Sequence, residues 1–271
     1  MAATVARPPL SVSSYHYLPT EATIMFHTVA YSASIAQLTD SDIPALADQI
    51  IPIVNGHFQP QEPLDLVFAV QLGLLVDRAR LSTPKMRQVV LPQIRPFNAL
   101  LLPPTDPNVA DYRANPFKLV KGEEVASLVT TNAAGPGVVT TILGLQVNRE
   151  PMPAGDVYTM RGTSTTAAVA NTWTDITMTY ADSLPAGTYA VVGMEHFSAT
   201  GKAARIICDN QYWRPGCLSI NALGARAHDM FRKGGLGQWG RFENTSMPRV
   251  QVLDNAVAAV HEVYLDLIRL R

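Results

Sequence analysis

The sequence predicts an all-β protein made of two tandem eight-stranded sandwiches or barrels, with one short helix inserted in the first. Three observations lead there. Val, Ile, Thr and aromatic residues recur in short runs with a two-residue period. Clusters rich in Gly and Pro punctuate those runs at short intervals. The chain of 271 residues has room for two such units. A strand of about 5–6 residues with a connection of about 4–6 makes an eight-stranded sandwich roughly 90 residues long.

In chain order, the first strand candidate is Ala22–Tyr31. Within Leu38–Asn55 a helix is expected at Ser41–Ile50: Asp40 or Ser41 caps it and Pro44 suits its first turn. Ile43, Leu46, Ala47 and Ile50 fall on one face at i, i+3, i+4 and i+7, and Pro52 stops it. Strands follow at Leu64–Val76, Met86–Leu91 and Glu124–Thr131, then in a segment where Val139, Thr141, Leu143, Leu145 and Val147 share one side. The Arg149–Gly155 stretch is the weakest point between strong strands, and the domain junction is placed within Asn148–Asp156. The expected division is an N-terminal arm at 1–18, a first domain at 19–150 and a second at 151–271. Val157–Met160 opens the second. Ile176, Met178 and Tyr180 face inward in one strand, with Asp175, Thr177 and Thr179 outward. Thr188–Met194, Ala203–Cys208 and Arg249–Leu253 are further strands. The last segment fits either period, and crowding of β-branched and aromatic residues favours a strand from Val260, with Asp266 outward.

Composition narrows function. Charged residues make up 16% and hydrophobic ones 47%, against a typical charged share of about 25%. With 21 basic and 22 acidic residues the net charge is −1, which gives no general attraction to nucleic acid or anionic lipid. A chain this apolar and this near neutrality is expected to associate. No run of 18 apolar residues is present, and Met1–Tyr15 has no apolar core of a secretory signal. Cys208 and Cys217 are too few for a disulfide framework. They read as two buried thiols, with a hairpin disulfide as the other reading.

A search for catalytic or metal chemistry returns little, and no enzymatic activity, cofactor or metal site is expected. The six histidines show no HxH or HExxH spacing. Glu195-His196 is the one carboxylate–His neighbour pair, and on a strand its side chains point to opposite faces. Ala199-Thr200-Gly201-Lys202 lacks the flanks of a phosphate loop and reads as a hairpin turn. Asp106 and Asp111 sit too far apart for a calcium loop and read as solvated. The arginines say more. Arg78, Arg80, Arg87 and Arg95 cluster without stacking aromatics, which favours outward or subunit-contact positions over nucleic-acid binding. Trp213-Arg214 and Trp239-Gly240-Arg241 are aromatic–Arg turns. They suit either subunit contacts or a Trp wedged at the base of its own sheet.

Several stretches resemble one family: Val76–Pro84, Ile94–Phe97, Asn108–Tyr112, Leu184–Tyr189, Tyr212–Gly216 and Tyr264–Arg269. Their order is similar to that of double jelly-roll major capsid proteins of tailless icosahedral bacterial viruses, the corticovirus-like and tectivirus-like lineage. The likeness is one of pattern and runs from about Leu64 to the end. It implies two eight-stranded jelly rolls side by side, a homotrimer forming a pseudo-hexagonal capsomer, and capsomers tiling an icosahedral shell. It also implies minor capsid or vertex proteins as partners, contact with an inner membrane, residence in the virion after assembly in the host cytoplasm, and no enzymatic activity. Some members bind calcium, but no residue here matches such a site. Coat proteins that package RNA directly often begin with a basic arm, whereas 1–18 carries only Arg7. No sequence-specific nucleic-acid binding is therefore expected. The arm reads as reaching under a neighbouring subunit or towards a membrane, or as an unstructured tail. The alternative reading is a two-domain β-sandwich that binds carbohydrate or acts as an adhesin, which would present exposed aromatic platforms.

Overall fold

The computed structural model describes residues 25–35, 41–73, 76–84, 109–131, 135–146, 153–209, 211–220, 231–232, 235–254 and 260–270. The N-terminal arm, the strand expected at Met86–Leu91, Arg87, Arg95 and residues 148–152 of the expected junction lie outside them. Among the described residues the regular structure is β, with no α-helix.

In the first half, β1 (Met25–Ile35) runs antiparallel to β10 (Gly135–Gln146) over its whole length, from Met25 opposite Leu145 to Ile35 opposite Gly135. β10 pairs in turn with β5 (Leu64–Gly73), and β5 carries β7 (Val109–Asp111) and β8 (Phe117–Leu119) on its other side. A second sheet places β9 (Ala126–Thr131) between β2 (Ser41–Ile43) and β6 (Val76–Ser82). The two sheets share a core in which Val29, Tyr31 and Leu66 meet Ile43, Leu81 and Val129. Leu66, Val67, Phe68, Ala69 and Val70 of β5 are apolar without alternation because both faces are buried there. Leu66 and Ala69 belong to this core, whereas Val67, Phe68 and Val70 pack with residues of the second half.

The helix expected at Ser41–Ile50 is absent. Ser41–Ile43 is the edge strand β2, and the backbone beyond it bonds to distant partners: Ala45 N–H to the Gly56 carbonyl at 2.7 Å and Leu46 N–H to the Ala30 carbonyl at 2.7 Å. Two prolines, Pro44 and Pro52, leave about two turns between them, too short for a helix to hold without tertiary packing. The helical stripe does not match burial either, since Ile43 and Ile51 are buried while Ala47 and Ile50 are exposed. Next comes a tight hairpin, β3 (Ile53–Val54) and β4 (His57–Phe58), turned by Asn55-Gly56. Their φ values of 51° and 78° mark a type I′ turn.

The second half forms a nine-stranded sheet that folds back on itself. One part is β12 (Thr174–Ile176), β18 (Arg249–Asp254), β15 (Gly201–Ile207) and β16 (Gly216–Ile220), all antiparallel. The other is β13 (Thr179–Tyr180), β11 (Val157–Ser164), β19 (His261–Arg269) and β14 (Thr188–Phe197), with β17 (Gly240–Glu243) added on β14. A short parallel contact of β14 with β16 joins them. Met160, Val263 and Leu265 of one part meet Ile206, Val250 and Leu218 of the other in one core. The strand expected across Ile176–Tyr180 is split into β12 and β13, which pair with different strands, although its inward and outward positions are as read. Ala199–Lys202 is not a hairpin turn: β14 and β15 do not pair, and Ser198–Thr200 carries the chain from one part of the sheet to the other. The C-terminal strand forms, but Asp266 is fully buried rather than outward in water, because Arg232 covers it. Cys208 and Cys217 are buried free thiols.

Candidate functional site: the seam between the halves

Every ladder among the described strands joins partners from the same half. What connects the halves is a seam built on β1, the loop after β2, and β15, β16 and β18 of the second half. Tyr212-Trp213-Arg214-Pro215-Gly216 lies along it. The Arg214 carbonyl accepts the Thr28 N–H at 2.9 Å, and the Arg214 N–H donates to His27 Nδ1 at 3.3 Å. The Trp213 ring lies against His27 with centroids 4.6 Å apart. Gly216 is required by close approach: a Cβ there would stand 2.2 Å from the Ala204 carbonyl oxygen and 2.7 Å from Thr28 Oγ1.

A buried ion pair holds the middle of the seam. Arg205 Nη1 bonds Asp48 Oδ2 at 2.7 Å, and the two side chains are 4% and 6% exposed. Arg205 Nε donates to Gln251 Oε1 at 2.8 Å, and its guanidinium lies 4.1 Å from the centre of the Trp173 ring. Asp48 Oδ1 accepts the N–H groups of Ile50 and Ile51 at 2.9 and 3.0 Å. Burial alone pushes the Asp48 carboxyl up. Arg205 and those two amides outweigh it and hold the group below the usual carboxylate range. Burial, aided by Arg205, pushes His27 down to about 3. His27 is thus neutral, as an Nδ1 that accepts a hydrogen bond requires.

Of the described arginines and tryptophans expected at subunit contacts, Trp213 and Arg214 lie along this seam and Trp239 packs across the halves beside it. Arg214 is 4% exposed and its Nη1 donates to the carbonyls of Gln211 and Trp213. Trp239, 1% exposed, packs edge-on to Phe26 of the first half and Phe231 of the second. Both side chains are buried within the chain. Arg241 is exposed, with Nε donating to Gln238 Oε1 at 3.1 Å. Arg80 is half-buried on β6, and Arg78 stands opposite Thr130 on the same strand. Sequence reasoning missed Asp48, Arg205, Trp173 and His27. The available signal was a lone arginine in the otherwise apolar strand Ala203–Cys208.

Two polar clusters lie elsewhere in the second half. His196, on the strand face opposite Glu195, bonds Ser219 Oγ through Nδ1 at 2.6 Å and His261 Nδ1 through Nε2 at 3.2 Å; both histidines are buried and Ser219 is half-buried. Burial, with His261 nearby, pushes His196 down to about 3. On the other face Arg232 bonds Glu195 and grips both oxygens of Asp266, with Nε–Oδ2 at 2.6 Å and Nη2–Oδ1 at 3.0 Å. Among the described residues, no group of three or more His, Cys, Asp or Glu is disposed to hold a metal ion.

No protein-family model and no curated protein matches the chain. Among solved structures, the crystal structure of the major capsid protein P2 from Bacteriophage PM2 is similar at 11% sequence identity and a TM-score of 0.24, the alignment covering 92% of this chain and 98% of that one. A superposition at that score defines neither a shared fold nor a shared function.

Proposed function

We propose that the protein is a virion structural protein, a major capsid protein that works by assembly. In this reading its halves, 19–150 and 151–271, are two jelly rolls set side by side. Three copies form a pseudo-hexagonal capsomer, and capsomers tile an icosahedral shell. The protein is not an enzyme; its partners are its own copies, minor capsid or vertex proteins and an inner membrane.

The observation that carries the reading is the seam. A pseudo-hexagon made of three chains needs two similar bodies per chain held at one fixed angle. The joining of two β halves by the buried Arg205–Asp48 pair and by the close contact at Gly216 supports that reading. Composition supports the same reading. A chain with 16% charged residues and a net charge of −1 lacks the charge that normally keeps β surfaces apart in solution, and neighbouring copies are what would cover them. Obligate interfaces run to about 2,000 Å² or more and are apolar where fully buried. Arg78, Arg80, Arg87, Arg95 and Arg241 are the proposed subunit contacts, Arg241 being exposed and Arg80 half-buried.

Sedimentation velocity of the purified protein tests the reading. A discrete species of three times the chain mass is expected; a monomer at every concentration and salt level would overturn it.

A further inference from the structure

The seam holds a cleft of about 330 Å³, within the range of small-ligand pockets. Three arginines line it, Arg205, Arg214 and Arg249, with two aspartates, Asp48 and Asp175. Their pairing is unequal. Asp48 is committed to Arg205 at 2.7 Å and to two backbone amides. Asp175 meets Arg249 at 3.4 Å, with both side chains more than half exposed, so water and salt weaken the contact. Arg214 donates to two carbonyls, and no carboxylate among the described residues lies within ion-pair distance of it. Burial lowers Arg214 from its ordinary value; Asp48 opposes that and Arg249 adds to it, so the two arginines feel each other across the cleft. Among the described residues the cleft is left with one positive charge in excess, and Arg214 with no carboxylate acceptor. Trp173 forms part of its wall.

We propose that this cleft is a binding site for a small oxyanion-bearing molecule, a phosphate or carboxylate, held by Arg214 and Arg249 between the two halves. Guanidiniums suit that group because their planar donors match its oxygens two at a time. Asp175 is the gate: its carboxylate competes with the incoming anion for Arg249. A ligand seated there touches both halves and stabilises their relative placement by mass action. The site depends on the seam alone and holds whether or not the protein forms a shell.

The test is a titration of the purified full chain with inorganic phosphate, pyrophosphate and citrate, each against sodium chloride at matched ionic strength. Tryptophan fluorescence and melting temperature are followed together. A saturable fluorescence change and a rise in melting temperature are expected with at least one oxyanion and not with chloride. If phosphate and pyrophosphate act and citrate does not, the ligand carries phosphate; the reverse assigns a carboxylate. Arg249→Gln, at an exposed position where folding is unaffected, is expected to weaken binding about tenfold or more. Asp175→Asn should tighten it several-fold. Trp173→Phe should diminish the fluorescence change while the melting shift remains. Responses equal to those of chloride, or an unchanged affinity in Arg249→Gln, would overturn the proposal.

Discussion

Replacing Asp48 by Asn isolates the charge at the seam. The amide keeps an oxygen for the N–H groups of Ile50 and Ile51, so the loop is retained, but Arg205 loses its bonded carboxylate and keeps only the weaker influence of Asp175. The arginine side chain is 4% exposed, and its other bonded partners, Gln251 and the Thr28 carbonyl, are neutral. Removing one member of a buried pair costs about 3–5 kcal/mol because the remaining charge stays out of water. At roughly 2–4 °C per kcal/mol for a chain near this size, the melting temperature should fall on the order of 10 °C. Asp175→Asn is the internal comparison. It removes a partner of Arg249 at 3.4 Å in a pair more than half exposed, and under about 1 kcal/mol should be lost. Urea unfolding followed by tryptophan fluorescence reads both, since Trp173 and Trp213 lie at the seam and Trp239 packs across the halves. The double change Asp48→Asn with Arg205→Met should lose less than Asp48→Asn alone, because it also removes the stranded charge. Equal, small losses in Asp48→Asn and Asp175→Asn would refute the claim that the buried pair holds the seam.

Three further outcomes are expected. His27 and His196 are both pushed to about 3 by burial, so below about pH 6.5 the unfolded chain takes up protons that the folded one refuses. Their contribution is fully present above pH 6.5 and is lost as pH falls towards 3, by up to about 1.4 kcal/mol per unit for each histidine; a urea midpoint that stays level from pH 7.5 to 4.5 would contradict this. Gly216→Ala forces two backbones apart and should cost about 3 kcal/mol or more in a urea series. Gly122→Ala, with φ +74° and open space around it, should cost about 1 kcal/mol, and equal losses would count against close approach as the role of Gly216. Arg241→Glu, at an exposed position, should leave the urea midpoint within about 0.5 kcal/mol but weaken self-association in sedimentation runs; unchanged association removes Arg241 from the proposed contacts.

The β character was legible because strand periodicity is a local property. Thr188–Met194, Ala203–Cys208 and Arg249–Leu253 stand close to where expected, as β14, β15 and β18. The failures came where distant partners decide. Ser41–Ile50 has a helical stripe, yet β9 offers Ser41–Ile43 a ladder and Ala30 and Gly56 take the next amides, so tertiary pairing overrides the local pattern. The signal that pointed the other way was Asn55-Gly56, a hairpin turn two residues after Ile53. The seam was half legible. Trp213-Arg214-Pro215-Gly216 stood out as a motif, but whether its aromatic face meets another chain or its own cannot be read from one sequence. Asp48 and Arg205 are 157 positions apart, and no local pattern relates them. The same holds for His196 and His261, which meet because β14 pairs with β19.

Negative-stain imaging of the concentrated purified protein tests the central claim most directly. The account predicts pseudo-hexagonal particles, each of three chains, that pack edge to edge into sheets or closed shells. A field of separate single chains at every concentration and ionic strength would contradict it.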